Sequence, residues 1–278
     1  MQTPKQLFDP NALALHRVRA LKSTQKAWFL HEHAADCVHE RLQEVNRSFT
    51  KPAFIGWTPE IWLESLNSST KTTPDAEILD LKQSAHDLII NGLTLHWAND
   101  PVGQLVQMRR ALVPDGLMIA AMFGGQTLHE LRTAFAEAEA RVEGGISPRI
   151  SPMAEIRDLG GLLQRAGFAL PVADSLKLSV EYETPIHLMN DLRHMGESNA
   201  VFTRRRSLKR ETLAMAAEIY SANYTKSSGR IEATFELVFL TGWAPSENQQ
   251  KPLRPGSAQQ RLADALGTAE YNPEKIGK

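Results

Sequence analysis

Apolar residues near the start of the chain fall on one helical face. Ala34, Val38, Leu42 and Val45 recur three to four positions apart, and residues 11–48 read as N-terminal helices. The pattern then shortens. Ala53-Phe54-Ile55 is a compact apolar run reaching Gly56, and a helix start follows, with Thr58 as N-cap, Pro59 at the first helical position and Glu60 in the first turn. This predicts a strand, a glycine turn and a helix over about 59–66. Beyond a polar loop, NSSTKTTPD, Ala76–Leu81 reads as a short strand. His86–Asn91 is continuously apolar after Asp87, as an interior parallel strand should be. A helix at about 101–112, a VPDG turn and the interior strand GLMIAAMF come next. Thr127-Leu128-His129-Glu130 has capping-box spacing and opens a helix whose face carries Leu128, Leu131, Phe135, Ala138 and Val142. Ser151-Pro152 opens a further helix ending at Gly167. Residues 169–182 alternate as a strand, helices are expected at about 184–196 and 207–224, and Arg230–Trp243 reads as a long final strand.

Strands alternating with helices imply an α/β fold with a mostly parallel sheet. The last strand, set off by an insertion of helices, is expected to be an antiparallel edge member, and the helices of 184–224 a lid over one end of the sheet. The expected organisation is one domain over 1–245: N-terminal helices 1–48, an α/β core 49–182, a helical lid 183–228 and the last strand 229–243. A tail over 246–278, rich in Pro, Gln, Ser and Gly, reads as partly disordered. Ligands in such folds bind outside the carboxyl ends of the strands.

Composition narrows the function. With 42% apolar residues, 23% charged residues and a formal net charge of -1, nothing favours nucleic acid or a strongly cationic partner. No run is long enough to span a membrane. The single cysteine, Cys37, rules out an intramolecular disulfide framework, suits a reducing compartment and reads as a helix core position. Arg17, Arg19 and Lys22 suggest a transit peptide, but Asp9, Pro10 and the helical sequence that follows argue for a structural segment and a cytoplasmic protein. The histidines, His31, His33 and His39 among them, form no metal-ligand spacing, and no catalytic triad can be assigned.

Several longer stretches carry a resemblance. HDLIINGLTLHWANDPVGQLVQMRRALVPDGLMIAAMFGGQTLHELR resembles the second half of a class I S-adenosylmethionine-dependent methyltransferase. GGISPRISPMAEIRDLGGLLQRAGFALPVAD, DLRHMGESNA and ATFELVFLTGWAPSENQQKPLRPGSA narrow it to the methyltransferase-like assembly factors of respiratory complex I and their alphaproteobacterial relatives. The malonyl-acyl-carrier-protein methyltransferases of biotin synthesis are more distantly similar. The resemblance implies a seven-stranded sheet, S-adenosylmethionine at a glycine loop after the first strand, an acid ending the second strand to hold the ribose, and a complex I subunit as partner or substrate. The assembly factors are associated with hydroxylation of an arginine in such a subunit.

The cofactor half departs from that pattern. Nucleotide-binding domains carry three spaced glycines after the first strand, and this chain has Gly56 and then Trp57. About 30 residues separate Gly56 from Asp87, room for roughly one helix and one short strand. At least one strand–helix unit is therefore expected to be missing, leaving a shortened sheet edge. The candidate cofactor residues are Gly56, Asp80 as the acid near a strand end, Asn91 and the backbone at Leu93. Candidate substrate or partner contacts are His96 and Trp97, which could equally start the next helix by packing it on the sheet. Gly124-Gly125 marks either a close backbone approach or a tight turn. Arg149 is a carboxylate or phosphate clamp, or else the partner of a helix end or an acid. Arg204, Arg205 and Arg206, with Lys209 and Arg210, are a docking patch for an acidic protein or a solvated connection. Two functions remain open: a methyltransferase or related modifying enzyme of a protein side chain, and a non-catalytic descendant acting as a binding or assembly factor.

Overall fold

The computed structural model describes residues 6–63, 66, 70–202, 207–249 and 267. The chain divides into a unit Met1–Pro245 and a unit Ser246–Lys278, and every helix and strand named below belongs to the first. The proposed docking arginines Arg204, Arg205 and Arg206 lie outside the described residues.

Helix α1 (Pro10–Lys22) starts where the Asp9 carboxylate accepts the Asn11 and Ala12 N–H groups, and α2 spans Phe29–Glu44. Strand β1 (Pro52–Ile55) is buried throughout, and α3 (Pro59–Trp62) is a single turn, shorter than the pattern predicts. Next come β2 (Lys71–Thr73), β3 (His86–Gly92), α4 (Pro101–Ala111), β4 (Leu112–Phe123), α5 (His129–Glu143) and α6 (Ile156–Ala166). Strand β5 (Ala169–Tyr182), helices α7 (Pro185–His194) and α8 (Arg210–Tyr224) and strand β6 (Ile231–Trp243) complete the order.

The six strands form one sheet in the order β2-β1-β3-β4-β6-β5. Strands β2, β1, β3 and β4 run parallel, and β6 is antiparallel to both β4 and β5. Alternation along β4 sends Leu117, Ile119, Ala121 and Phe123 into one core layer, with α2, α5, α7 and α8, and Met118, Ala120 and Met122 into the other, with α4 and α6. The fold is thus the expected methyltransferase-like α/β sheet with a shortened edge: β2 is three residues long and flanks β1 directly.

Several local expectations are corrected. The strand sits at Lys71–Thr73, inside the stretch read as a polar loop, and Ala76–Leu81 is bend and coil. Two β-branched threonines pair with Phe54 and Ile55 of β1, and only Thr73 is buried, so no apolar run marks the strand. Within 76–81, Leu79 packs into the α4 layer while Ile78 faces solvent. VPDG is a kink inside β4: Asp115 takes φ +62, its N–H donates to Ala244 O, and the pairing with β3 skips from Leu112 to Leu117. Thr127 builds no capping box, because its hydroxyl donates to Glu236 O and accepts from Glu236 N–H, and α5 begins beyond Leu128 at φ +54. Helix α6 starts at Ile156, later than Ser151-Pro152. Strand β6 is antiparallel but interior, and β5, with Leu170 and Val172 exposed, holds the edge. Of the expected lid, α7 reaches toward the strand ends, while α8 packs along α5.

An N-terminal strap reaches the same end of the sheet. Phe8 bridges antiparallel to Val201, Asp9 N–H donates to Ala200 O, and Phe202 N–H donates to Leu7 O. The Asn99 side chain accepts from Leu7 N–H and Phe8 N–H and donates to Phe8 O, acting as a strand partner by side chain.

Candidate functional site

The carboxyl ends of β1 and β3 are where a cofactor's methionine and ribose would approach. Both end in a glycine, and both glycines face this chain's own rings. A Cβ placed on Gly56 would lie 2.5 Å from Phe54 Cζ. One placed on Gly92 would lie 2.7 Å from Phe54 Cε2 and 2.7 Å from Trp62 Cε2. Phe54 and Trp62 stack with centroids 5.8 Å apart and are buried. Trp57 packs edge-on against His31 of α2 at 5.5 Å, beneath the Arg17 guanidinium of α1, and against Gly196, where a Cβ would come within 3.0 Å of its ring.

The acid that follows β2 is Asp75, two residues past Thr73. It is held by Arg17 through two hydrogen bonds, 2.6 and 2.8 Å, with both side chains nearly buried. Asp80, the acid selected from sequence, lies at no strand end; it is exposed and pairs with Lys71 at 2.6 Å, which holds its carboxyl below the usual range.

Asn91 closes the buried face of β3, and its Oδ1 accepts from Thr94 Oγ1 at 3.0 Å. Leu93 takes φ +51 and donates its N–H to Ala121 O, so the chain turns sharply out of the sheet. His96 and Trp97 follow in a 3₁₀ turn and converge on a residue that the sequence reading missed, Glu197. Its Oε2 accepts from Trp97 Nε1 at 2.8 Å and lies 3.1 Å from His96 Nε2. The Glu197 side chain is 6% exposed. Burial pushes its carboxyl upward, but the charge and hydrogen bond of His96, with His31 and Arg17 beyond, outweigh burial and hold it below the usual range. His31 is driven the other way from its usual value, to about 4, by burial first.

Beside this cluster lies a cavity of about 160 Å³ between the carboxyl end of β4, helices α5 and α7, and the segment after α7. Phe123, Leu131, Phe135, Met189, Leu192 and Phe235 form its apolar wall; Trp97, Arg149, Glu197, Ser198 and Asn199 form its polar side. Arg149 reaches this mouth as expected and is fixed by the buried Glu139 at 2.6 Å. Gly124 and Gly125 admit close approach by two carboxylates, Glu236 and Glu155 respectively. Of the sequence candidates, the structure thus gathers Asn91, Leu93, His96, Trp97 and Arg149 at one end of the sheet and leaves Asp80 out. It adds Glu197, Asp75, Arg17 and His31. These come from four separate segments, and no short motif links them.

Among the described residues, the Cβ directions of Gly56 and Gly92 are filled by Phe54 and Trp62, and the acid that follows β2, Asp75, is paired with Arg17. Among those described residues, no group of three His, Cys, Asp or Glu side chains could hold a metal ion. No helix among the described residues is long and apolar enough to cross a membrane.

No family model matches the chain. The arginine-hydroxylase NDUFAF5, mitochondrial, of Danio rerio is 35% identical over 94% of this chain and 90% of its own length. The malonyl-[acyl-carrier protein] O-methyltransferase of Halorhodospira halophila is 33% identical over 89% of this chain and 77% of its own. Among solved structures, the YcgJ protein of Bacillus subtilis matches with a TM-score of 0.49 at 10% identity, over 77% of this chain and 99% of its own. With the methyltransferase-like sheet and that level of identity, the chain belongs to the family of the arginine-hydroxylase NDUFAF5.

Proposed function

We propose that this protein works as a protein-binding factor on a methyltransferase scaffold, engaging a partner such as a respiratory complex I subunit at the cavity beneath α7, without S-adenosylmethionine at the glycine turn. The observation that carries this reading is the filled cradle: Phe54 and Trp62 lie where Cβ atoms of Gly56 and Gly92 would stand, and Arg17 occupies Asp75. A cofactor entering there would have to displace a buried aromatic stack and break a buried ion pair. In this reading Gly56, Asn91 and Leu93 shape the turn rather than a ligand, and Asp80 is a surface carboxylate. Arg149 and Trp97 belong to the partner cavity, and Arg204, Arg205 and Arg206 are kept as a docking patch for an acidic surface. The single cysteine agrees with work in a reducing, cytoplasmic-type compartment.

Calorimetric titration with S-adenosylmethionine and S-adenosylhomocysteine tests the reading. No heat of binding is expected at millimolar ligand, and micromolar binding to either would overturn it. A second reading, modification of a partner's arginine, is favoured by the arginine-hydroxylase activity after which the 35% identical relative is named. Mass spectrometry of a co-expressed complex I subunit, showing one added oxygen that depends on this chain, would select it.

A further inference from the structure

Strand β5 borders the sheet, and its inner side pairs with β6 continuously from Val172 to Tyr182. Among the described residues, no backbone hydrogen bond joins its outer side to another element. A row of free N–H and C=O groups templates a further strand unless prolines, bulges or charges blunt it. Pro171 and the register shift between Ala169 and Val172 guard only the start of β5, and Ala173–Tyr182 carries neither device. We propose that this edge joins two copies of the chain, β5 lying antiparallel to β5 about a two-fold axis through Ser179.

Side-chain parity and charge select that register. A two-fold axis normal to the sheet keeps each side chain on its own face, so residues opposed across the seam stand an even number of positions apart. Ser175, Lys177, Ser179 and Glu181 share one face and are exposed. Lys177 has no hydrogen-bond or ion-pair partner among the described residues. With the axis at Ser179 it stands opposite Glu181 of the second copy, and symmetry repeats the contact. Glu181 accepts from Ser228 through Oε2 and keeps its other oxygen for the lysine. An axis at Asp174 or Lys177 would oppose like charges, and axes at Ser175, Leu176 or Leu178 set Lys177 against Ala173, Ser175 or Ser179. Glu183, which an axis at Val180 would bring to Lys177, lies beyond the strand and already pairs with Arg230 and His187.

The other face of the strand agrees. In this register Leu178 meets Val180, and Leu176 meets Tyr182. Leu176 is 37% exposed, and Tyr182 lines an open groove of about 410 Å³ with Phe29 and Val180 at the end of β5. The second copy's Leu176 enters that groove, so each copy offers both the slot and the side chain that fills it. The seam stands apart from the cavity beneath α7 and does not depend on the reading given to it.

Sedimentation velocity of the full chain, over about 1–100 μM, should show a monomer passing into a dimer. Lys177→Glu and Glu181→Lys should each weaken the dimer at least about tenfold, since each turns two attractive cross-strand contacts into repulsive ones. Mixed one to one, the two variants should recover dimerisation, because every contact across the mixed seam again joins opposite charges. A chain that stays monomeric, its edge left to a foreign strand, would overturn the proposal. So would a dimer indifferent to both single variants, or a mixture that remains monomeric. Should either charge variant not fold, Leu176→Glu, at an exposed position, must abolish the dimer by setting a charge against Tyr182; a persisting dimer overturns the proposal as well.

Discussion

His31 should make this protein acid-sensitive, and the size of the effect follows from its surroundings. Its Nδ1 faces two donors, Trp62 Nε1 at 3.4 Å and Thr58 Oγ1 at 3.3 Å, so the network assigns the neutral ring with the proton on Nε2. Protonation would turn an acceptor into a donor against the Trp62 N–H, inside a site with no water-exposed surface to speak of. Burial is the largest cause of its displaced pKa; His96 and Arg17 add to it and Glu197 opposes it, and the value falls from 6.5 to about 4. The unfolded chain therefore binds this proton more readily than the folded one. Stability is fully present above about pH 6.5 and is lost as pH falls through that value toward 4. Linkage gives a loss of about 2 kcal/mol at roughly pH 5 and about 3 kcal/mol near pH 4. At an m-value of about 2–3 kcal/mol/M, the urea midpoint should drop by roughly 1 M between about pH 7.5 and 5. Glu197, held below its usual value, contributes stability that is lost only below the ordinary carboxylate range, so above pH 5 it does not add to the loss from His31. His86 is lowered too, chiefly by burial, and leaves a smaller residual slope. His31→Asn keeps an acceptor for Trp62 and Thr58 and removes the titration, so its midpoint should change little over that window. Parallel losses in the two proteins would refute the assignment.

Two further outcomes test the filled cradle by stability alone. Gly92→Ala should destabilise the fold by about 1–3 kcal/mol in urea unfolding, because its methyl meets two buried rings; a neutral substitution would mean the rings are not seated there. Arg17→Met and Asp75→Asn should each cost about 3–5 kcal/mol by stranding a buried partner, and the double variant should cost well under their sum. Simple additivity would show that the pair is not coupled.

The sheet was legible where burial imposes a pattern. Strands β3 and β4 are continuous apolar runs because both faces are covered, and β5 alternates because one face meets solvent. Strand β2 was not legible, since Lys71-Thr72-Thr73 owes its pairing to the neighbouring edge of β1 rather than to hydrophobicity. The acid that follows the second strand is accordingly Asp75, and Asp80 lies at no strand end. The Thr127 box failed for a related reason: a distant backbone, at Glu236, competes for the hydroxyl. Spacing around Gly56 foretold a shortened edge, and the structure shows a three-residue β2 there; Trp57 turns away from the glycine and packs against His31, Arg17 and Gly196. The site itself was hidden because its parts are remote. His96 and Glu197 stand about a hundred positions apart, and Arg17 reaches Asp75 from a different helix altogether. Local periodicity carries no trace of such pairings.

The segment after α7 is held at three points: Gly196 lies under Trp57, Glu197 is tied to His96 and Trp97, and Ala200–Val201 is laced to the N-terminal strap. The polypeptide thus holds this segment with its own side chains and backbone. The rim of the cavity is accordingly preorganised, its conformational entropy surrendered during folding rather than at encounter. The hydrogen-bonded amides of Gly196, Glu197 and Val201 should exchange slowly in the free protein, and partner capture should proceed as docking onto a rigid socket.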